Sequence, residues 1–223
     1  MSDLSYSCIL FDLDGTVIDT VADCACAINR TMEIFSFPKH TNDEVRSYLN
    51  NGARMLIRRA MPEKEAANEK LVDEVLSTYI GIYRGCCTVD SKVYDGVMEM
   101  LEQLSSHGAK LGIVTNKPDV QTKIMIPHYF GDLFGYFEGN SDKAPVKPDA
   151  RRVDMALEVL GKKRIDTFFV GDSAVDVQTA KNADIPSVGV AWGFAGVAAF
   201  AENVPTRIVY SASEIVQIAK KGF

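Results

Sequence analysis

Five short runs set the terms on which this chain can fold: Cys8-Ile9-Leu10-Phe11, Leu111-Gly112-Ile113-Val114, Thr167-Phe168-Phe169-Val170, Ser187-Val188-Gly189-Val190 and Arg207-Ile208-Val209-Tyr210. The first four are nearly continuous in apolar or small residues. A run without polar alternation reads as a strand covered on both faces, as a parallel sheet requires. Phe134 to Glu138 reads as one further short strand. Helical patterns separate the runs: Val97, Met100, Leu101 and Leu104, then Asp119 to His128, the stretch ending at Leu160-Gly161, Ala174 to Asn182, and Ser213 to Lys220. Repeated strand–helix units predict an α/β fold with a doubly wound, mostly parallel sheet.

One block breaks the alternation. From about residue 18 to 87 only helical spacing occurs, and no strand is predicted. Val21, Cys24, Ala25, Ile28, Met32 and Phe35 recur at helical intervals after Asp19 or Thr20, either of which can cap the helix. Thr41-Asn42-Asp43-Glu44 is a capping box for a second helix. Asn50-Asn51-Gly52 ends that helix, a third runs from Ala53 to about Ala60, and Pro62 opens a fourth carrying Val72, Val75, Leu76, Tyr79, Ile80 and Tyr83 on one stripe. The expected organisation is a core domain, residues 1–17 and 88–223, with an all-helical subdomain, residues 18–87, inserted into it.

Polar clusters stand where the strands end. Phe11 runs into Asp12-Leu13-Asp14-Gly15-Thr16. Ligands in open α/β sheets sit at the carboxyl ends of strands, so Asp12 and Asp14 arrive together at a site, with Gly15 allowing a tight turn. Read alone, the stretch also fits a surface turn. It does not fit a calcium loop, because Gly15 comes too early and Val21 stands where that loop needs Glu. Thr115-Asn116 ends a second strand, Lys147 precedes a proline-started helix, and Asp172 and Asp176 stand at and after a third strand end. Singly these are a helix cap, a solvated lysine and an N-cap. Together they fit phosphoryl transfer: one carboxylate attacks, the other moves a proton, and further acids hold Mg²⁺. Mg²⁺ and Lys147 neutralise charge, while Thr115 and main-chain N–H groups take phosphoryl oxygens. No G-x-x-x-x-G-K-[ST] phosphate loop is present.

The net charge of −6 without a Lys/Arg block argues against nucleic acid or an anionic membrane as partner. Five cysteines without paired spacing read as reduced thiols. With no membrane-length apolar run and no signal-like start, the expected location is cytoplasmic. The expected partner is a small phosphorylated metabolite, and the expected state a monomer or homodimer.

The chain resembles the haloacid dehalogenase-like (HAD) superfamily. The likeness rests on Asp12-Leu13-Asp14-Gly15-Thr16, Val114-Thr115-Asn116-Lys117, Lys147-Pro148 and Gly171-Asp172-Ser173-Ala174-Val175-Asp176, in that order, and it spans nearly the whole chain. It implies a Rossmann-like core, a helical cap after the first motif, and Mg²⁺-dependent chemistry. Asp14 favours phosphatases, since dehalogenases lack that second acid. The resemblance makes Asp12 the nucleophile and Asp14 the acid, then the base. It gives the metal to Asp12, the Asp14 carbonyl and Asp172, with Asp176 as a ligand through water or a support. Thr115, Asn116 and Lys147 hold the phosphoryl group, alongside the Gly15-Thr16 turn. Within the superfamily the chain is most similar to phosphoglycolate phosphatases, through the stretch Tyr48 to Ile57 and Gly189-Val190-Ala191-Trp192-Gly193-Phe194. Asp149-Ala150 and Ala183-Asp184 depart from that branch. Arg54, just past Gly52, is the candidate to meet a substrate anion, and otherwise belongs to a solvated helix face. Two other readings share the motifs: a β-phosphoglucomutase-like sugar phosphomutase, and a catalytically silent phosphate-binding or regulatory protein.

Overall fold

A computed structural model describes residues 4–223; residues 1–3, which open the expected core segment, lie outside the described part. In chain order the elements are β1 (Cys8–Phe11), β2 (Ile18–Asp19), α1 (Val21–Ile34), α2 (Asn42–Tyr48), α3 (Gly52–Ala60), α4 (Glu63–Ala66) and α5 (Glu69–Arg84). There follow β3 (Lys92–Val93), α6 (Val97–Ser106), β4 (Lys110–Pro118), α7 (Asp119–Phe130), β5 (Tyr136–Asn140) and α8 (Arg151–Leu160). The chain closes with β6 (Thr167–Gly171), α9 (Ala174–Asn182), β7 (Ser187–Val190), β8 (Arg207–Val209) and α10 (Ala212–Lys221).

Six strands form one sheet in the order β5-β4-β1-β6-β7-β8. Every pairing in it is parallel. The two-residue period of a strand divides its side chains between the faces. Ile9, Phe11, Ile113, Phe168 and Val170 enter one core with α6, α7 and α10. Cys8, Leu10 and Phe169 enter the other with α8 and α9. Both faces are covered, which is why the runs lack polar alternation. The chain winds outward from β1 through β4 to β5, then returns to place β6 on the other flank of β1. The strand order therefore reverses at β1, and a crevice opens beyond its carboxyl end.

Three expectations change in detail. Ile18–Asp19, placed at the edge of a strandless block, is instead a strand: it pairs antiparallel with Lys92–Val93. Two residues a side are too few to give a periodicity signal. The single helix expected after Pro62 is two, because the Asn68 side chain accepts from Leu71 N and starts a new helix. β4 continues beyond Val114 to Pro118, so Thr115, Asn116 and Lys117 belong to a strand rather than to a loop.

The crossings into and out of the helical block lie side by side. Asp23, buried in α1, accepts from Val89 N, Asp90 N, Ser91 N and Ser91 Oγ at 2.6–3.2 Å. Its carboxylate thus fastens the return segment from α5 against the outgoing helix. The apolar side of α1, α3 and α5 is continuous with the first core, through Ile28, Leu56, Val75 and Tyr79.

Candidate active site

Beyond the ends of β1, β4 and β6 lies a pocket floored by Asp12, Asp14, Thr115, Lys117 and Lys147. Its other wall comes from the helical block, with Leu49, Asn50, Gly52, Ala53, Tyr79 and Tyr83. The expected residues from three distant strand ends do come together. Asp172 and Asp176 do not line the pocket, but oxygens of Asp12, Asp172 and Asp176 all lie within 4.8 Å of one another.

Lys147 links these acids. Its Nζ is 2.8 Å from Asp12 Oδ1 and 2.6 Å from Asp176 Oδ1. Burial works against its charge, but Asp12 and Asp176 outweigh burial and hold it protonated. Its backbone is fixed by Asn116, which donates to Lys147 O at 3.1 Å and accepts from Lys147 N at 2.7 Å. Asn116, expected to grip a phosphoryl group, thus has its carbonyl and one N–H engaged in presenting Lys147. Both oxygens of Asp176 are engaged as well. One oxygen takes Lys147 Nζ and the other takes Ser173 N and Oγ, closing the capping box of α9.

Asp172 is fully buried, and its Oδ2 accepts from Phe194 N at 3.1 Å. The amide of Asn50, reaching over from the helical block, is 3.5 Å from the same oxygen. Asp172 Oδ1 has no hydrogen-bond partner. Glycine makes this crowding possible: a Cβ on Gly15 or Gly193 would overlap the Asp172 side chain, and one on Gly171 would overlap Asp176. Gly15 also has φ of +82°, open to glycine at little cost. Thr16 is buried, and its carbonyl accepts from Trp192 Nε1 at 3.1 Å. Neither Gly15 nor Thr16 lines the pocket.

Three buried carboxylates around one ammonium leave an excess of negative charge. Burial, which outweighs Lys147, raises the Asp12 carboxyl to about 6. Burial and then Asp176 push Asp172 well above the usual carboxylate range. Oxygen donors, an unpartnered buried oxygen and uncompensated charge fit a hard divalent cation. The same imbalance makes a stability prediction. A carboxyl raised from an ordinary 3.8 to about 6 binds a proton in the folded chain that the unfolded chain has already released. Its favourable contribution is full below about pH 4 and is lost as pH rises to about 6. Asp172→Asn should therefore raise the melting temperature of the metal-free protein at pH 7.5 by several degrees, with 1 kcal/mol worth about 2–4 °C at this size. The gain should shrink towards pH 5 and reverse in a millimolar hard divalent cation, which the intact acid cluster should bind more tightly than the variant. A variant that melts below the parent in EDTA at pH 7.5 would contradict the charge-excess account.

Sequence reasoning gave no role to Lys117 or Tyr83. Lys117 Nζ donates to both Asp14 oxygens, at 2.8 and 3.1 Å, and to Tyr83 Oη at 2.8 Å. Its side chain is only 2 % exposed. One available signal was the extension of β4: strand period two sets Thr115 and Lys117 on the same side. Thr115 Oγ accepts from Lys117 N at 3.2 Å, leaving its hydroxyl hydrogen for a ligand.

Arg54 does not reach the pocket. Its guanidinium pairs with Asp73 at 2.5 Å and Glu69 at 2.7 Å, both on α5, and Arg58 joins the same Glu69. Two carboxylates one helical turn apart on α5 draw the side chain outward, so it belongs to the solvated face. Of the basic residues of α3, Arg59 acts on the pocket wall instead: it donates to Tyr48 O and Asn51 Oδ1, holding the turn that carries Asn50.

The sequence profile of one family, described as haloacid dehalogenase-like hydrolase, matches residues 9–190. A phosphoglycolate phosphatase of Colwellia psychrerythraea is 33% identical over 192 residues, 83% of this chain and 84% of its own. One of Vibrio vulnificus is 31% identical over 228 aligned positions, covering 98% of each chain. The crystal structure of a predicted phosphoglycolate phosphatase from Haemophilus somnus 129pt superposes with a TM-score of 0.86 at 27% identity, over 96% of this chain and 98% of that one.

Proposed function

The chain belongs to the haloacid dehalogenase-like hydrolase family, and from that premise we propose a Mg²⁺-dependent phosphatase that hydrolyses a small phosphoglycolate-like monoester through an aspartyl-phosphate. The observation that carries this reading is Asp12 in contact with Lys147 at the floor of a pocket that also holds Asp14. Asp12 attacks phosphorus and the ester oxygen leaves with a proton from Asp14. Asp14 then takes a proton from water, and the water splits the acyl phosphate to inorganic phosphate and free Asp12. Lys147 and the Thr115 hydroxyl bind phosphoryl oxygens throughout. Asp12, Asp172 and the Asp14 carbonyl would hold Mg²⁺, which when bound supplies charge neutralisation for the phosphoryl group. Asp176 supports Lys147.

In this reading residues 18–87 work as a cap on the core formed by 1–17 and 88–223, and the cap wall faces the leaving alcohol. Lys117 takes the part expected of Arg54: it is the second ammonium lining the pocket, beside Lys147. A carboxylate on the leaving group would meet it in place of Tyr83 Oη, since Asp14 and Tyr83 take its three N–H donors in the resting site. The five free cysteines fit a reducing cytoplasm, with the chain acting as a monomer or homodimer.

A panel of small phosphate esters, assayed with Mg²⁺ and with EDTA and ranked by kcat/KM, tests the proposal. Phosphoglycolate should rank at the top and activity should vanish in EDTA. No phosphate release from any ester in Mg²⁺ would end the reading. For Lys117→Met, the preference for phosphoglycolate over an uncharged alkyl phosphate, which needs the same proton from Asp14, should fall about ten- to hundredfold, the worth of a charge-assisted contact. An unchanged ratio would remove Lys117 from substrate recognition.

A further inference from the structure

We propose that Arg152 is a positioning residue for Lys147, acting through the loop that delivers the lysine to the pocket; this rests on the reading of Lys147 as a phosphoryl-binding group. Arg152, in the first turn of α8, is 1% exposed. Its guanidinium meets no carboxylate within ion-pair distance among the described residues. Instead it donates to four carbonyl oxygens: Gly139 at 2.7 Å, Ser141 at 3.0 Å, Ala144 at 2.6 Å and Pro145 at 2.9 Å. These oxygens belong to the end of β5 and to the loop that follows it.

That loop has little structure of its own. Between Ser141 and Asp149 the backbone closes one hydrogen bond on itself, Asp149 N to Val146 O. Its path is therefore set by side chains at both ends. Asn116 holds the Lys147 backbone from β4. Arg152 gathers the segment upstream, up to two residues before Lys147. The planar fork of a guanidinium suits this, since its donors diverge in fixed directions. A buried charge is a costly way to fill a core position when packing is the only need, and an apolar residue would serve better. The arrangement becomes intelligible if the loop must hold Lys147 within reach of Asp12 and Asp176 to a few tenths of an ångström. Small displacements of a charge-binding group cost affinity for the ligand and leave the rest of the fold standing.

The test uses the full chain with Arg152→Gln and Arg152→Lys and reads two ligands separately. Inorganic phosphate binding is measured by calorimetry in saturating Mg²⁺, and Mg²⁺ binding by the concentration that half-saturates the thermal shift. For Arg152→Gln the phosphate Kd should rise about tenfold or more while the Mg²⁺ half-point stays within twofold. Arg152→Lys, which keeps the charge but loses the fork, should fold and fall between the two. Phosphate affinity within twofold of the parent in both variants would overturn the proposal. So would equal losses for phosphate and Mg²⁺, or an Arg152→Lys protein that does not fold, because either assigns the residue to general stability. A parent that binds no phosphate in Mg²⁺ would instead remove the phosphatase reading, and this inference with it, before any variant is made.

Discussion

Asp12→Asn is expected to lower kcat by about four to six powers of ten, the range seen when a covalent nucleophile is removed. An amide has no anionic oxygen with which to attack phosphorus, and its shape is that of the carboxylate it replaces. The fold should not suffer. Asp12 is buried and its ionised form is disfavoured, so the neutral amide relieves charge in the metal-free site and the melting temperature in EDTA should match or exceed that of the parent. Steady-state kinetics on the preferred ester, in a preparation shown by mass spectrometry to be free of deamidated protein, checks both halves. Turnover within tenfold of the parent would take the nucleophile's role from Asp12.

Asp14→Asn should have the second largest effect, about two to four powers of ten in kcat on an alkyl ester. The proton-transfer role also predicts a change of rate-limiting step. An aryl phosphate expels a leaving group that needs no proton, so Asp12 should still be phosphorylated. Without a base for the water, the acyl phosphate should then persist. Rapid acid quench should show a burst of phenol near one equivalent and protein heavier by one phosphoryl group, with no burst from the alkyl ester. Equal rates on both substrates, and no covalent species, would contradict the assignment. Lys117, bound to both oxygens of Asp14, orients that carboxylate in the resting site.

Much of this was legible in the residues, for physical reasons. Strands covered on both faces must be continuously apolar, and the polar residues that end them fall on one edge of a parallel sheet. Asp12, Asp14, Thr115 and Asp172 could therefore be gathered before any coordinate was known, whereas Lys147, in the loop after β5, and Asp176, in α9, are joined to them by the family motifs. What could not be read is which side chains engage one another once gathered. By its place in the sequence, just past Gly52, Arg54 is the candidate to meet a substrate anion, yet Glu69 and Asp73, more than a dozen residues on, draw it to the solvated face. Asn116 has the chemistry to bind phosphate, yet the backbone of Lys147 claims most of it. Tyr83 belongs to an apolar stripe by spacing, and only the packing of α5 against the end of β4 brings its hydroxyl to Lys117. Arg152 gives no local signal at all, since its four acceptors are main-chain oxygens that any sequence supplies. Pairings across the chain are set by tertiary geometry, and spacing along the chain carries no record of them.

The central place of β1 bears on the order in which the molecule can assemble as it is synthesised. Cys8 in β1 pairs on one side with Lys110 and on the other with Thr167. A nascent chain ending before Thr167 leaves the strand that carries Asp12 with a bare edge, a row of unpaired N–H and C=O groups. The helices of residues 21–84 close their backbone hydrogen bonds locally and find one another within that stretch, but the sheet waits for pairings more than a hundred residues apart. Asp172 and Asp176 follow directly on β6, so the strand that closes the edge also delivers the last acids. Closure of the β1 edge and delivery of the last acids are thus a single event on the ribosome, with β7 and β8 still to add beyond β6, and chains stalled short of it carry both an exposed edge and a half-built acid cluster.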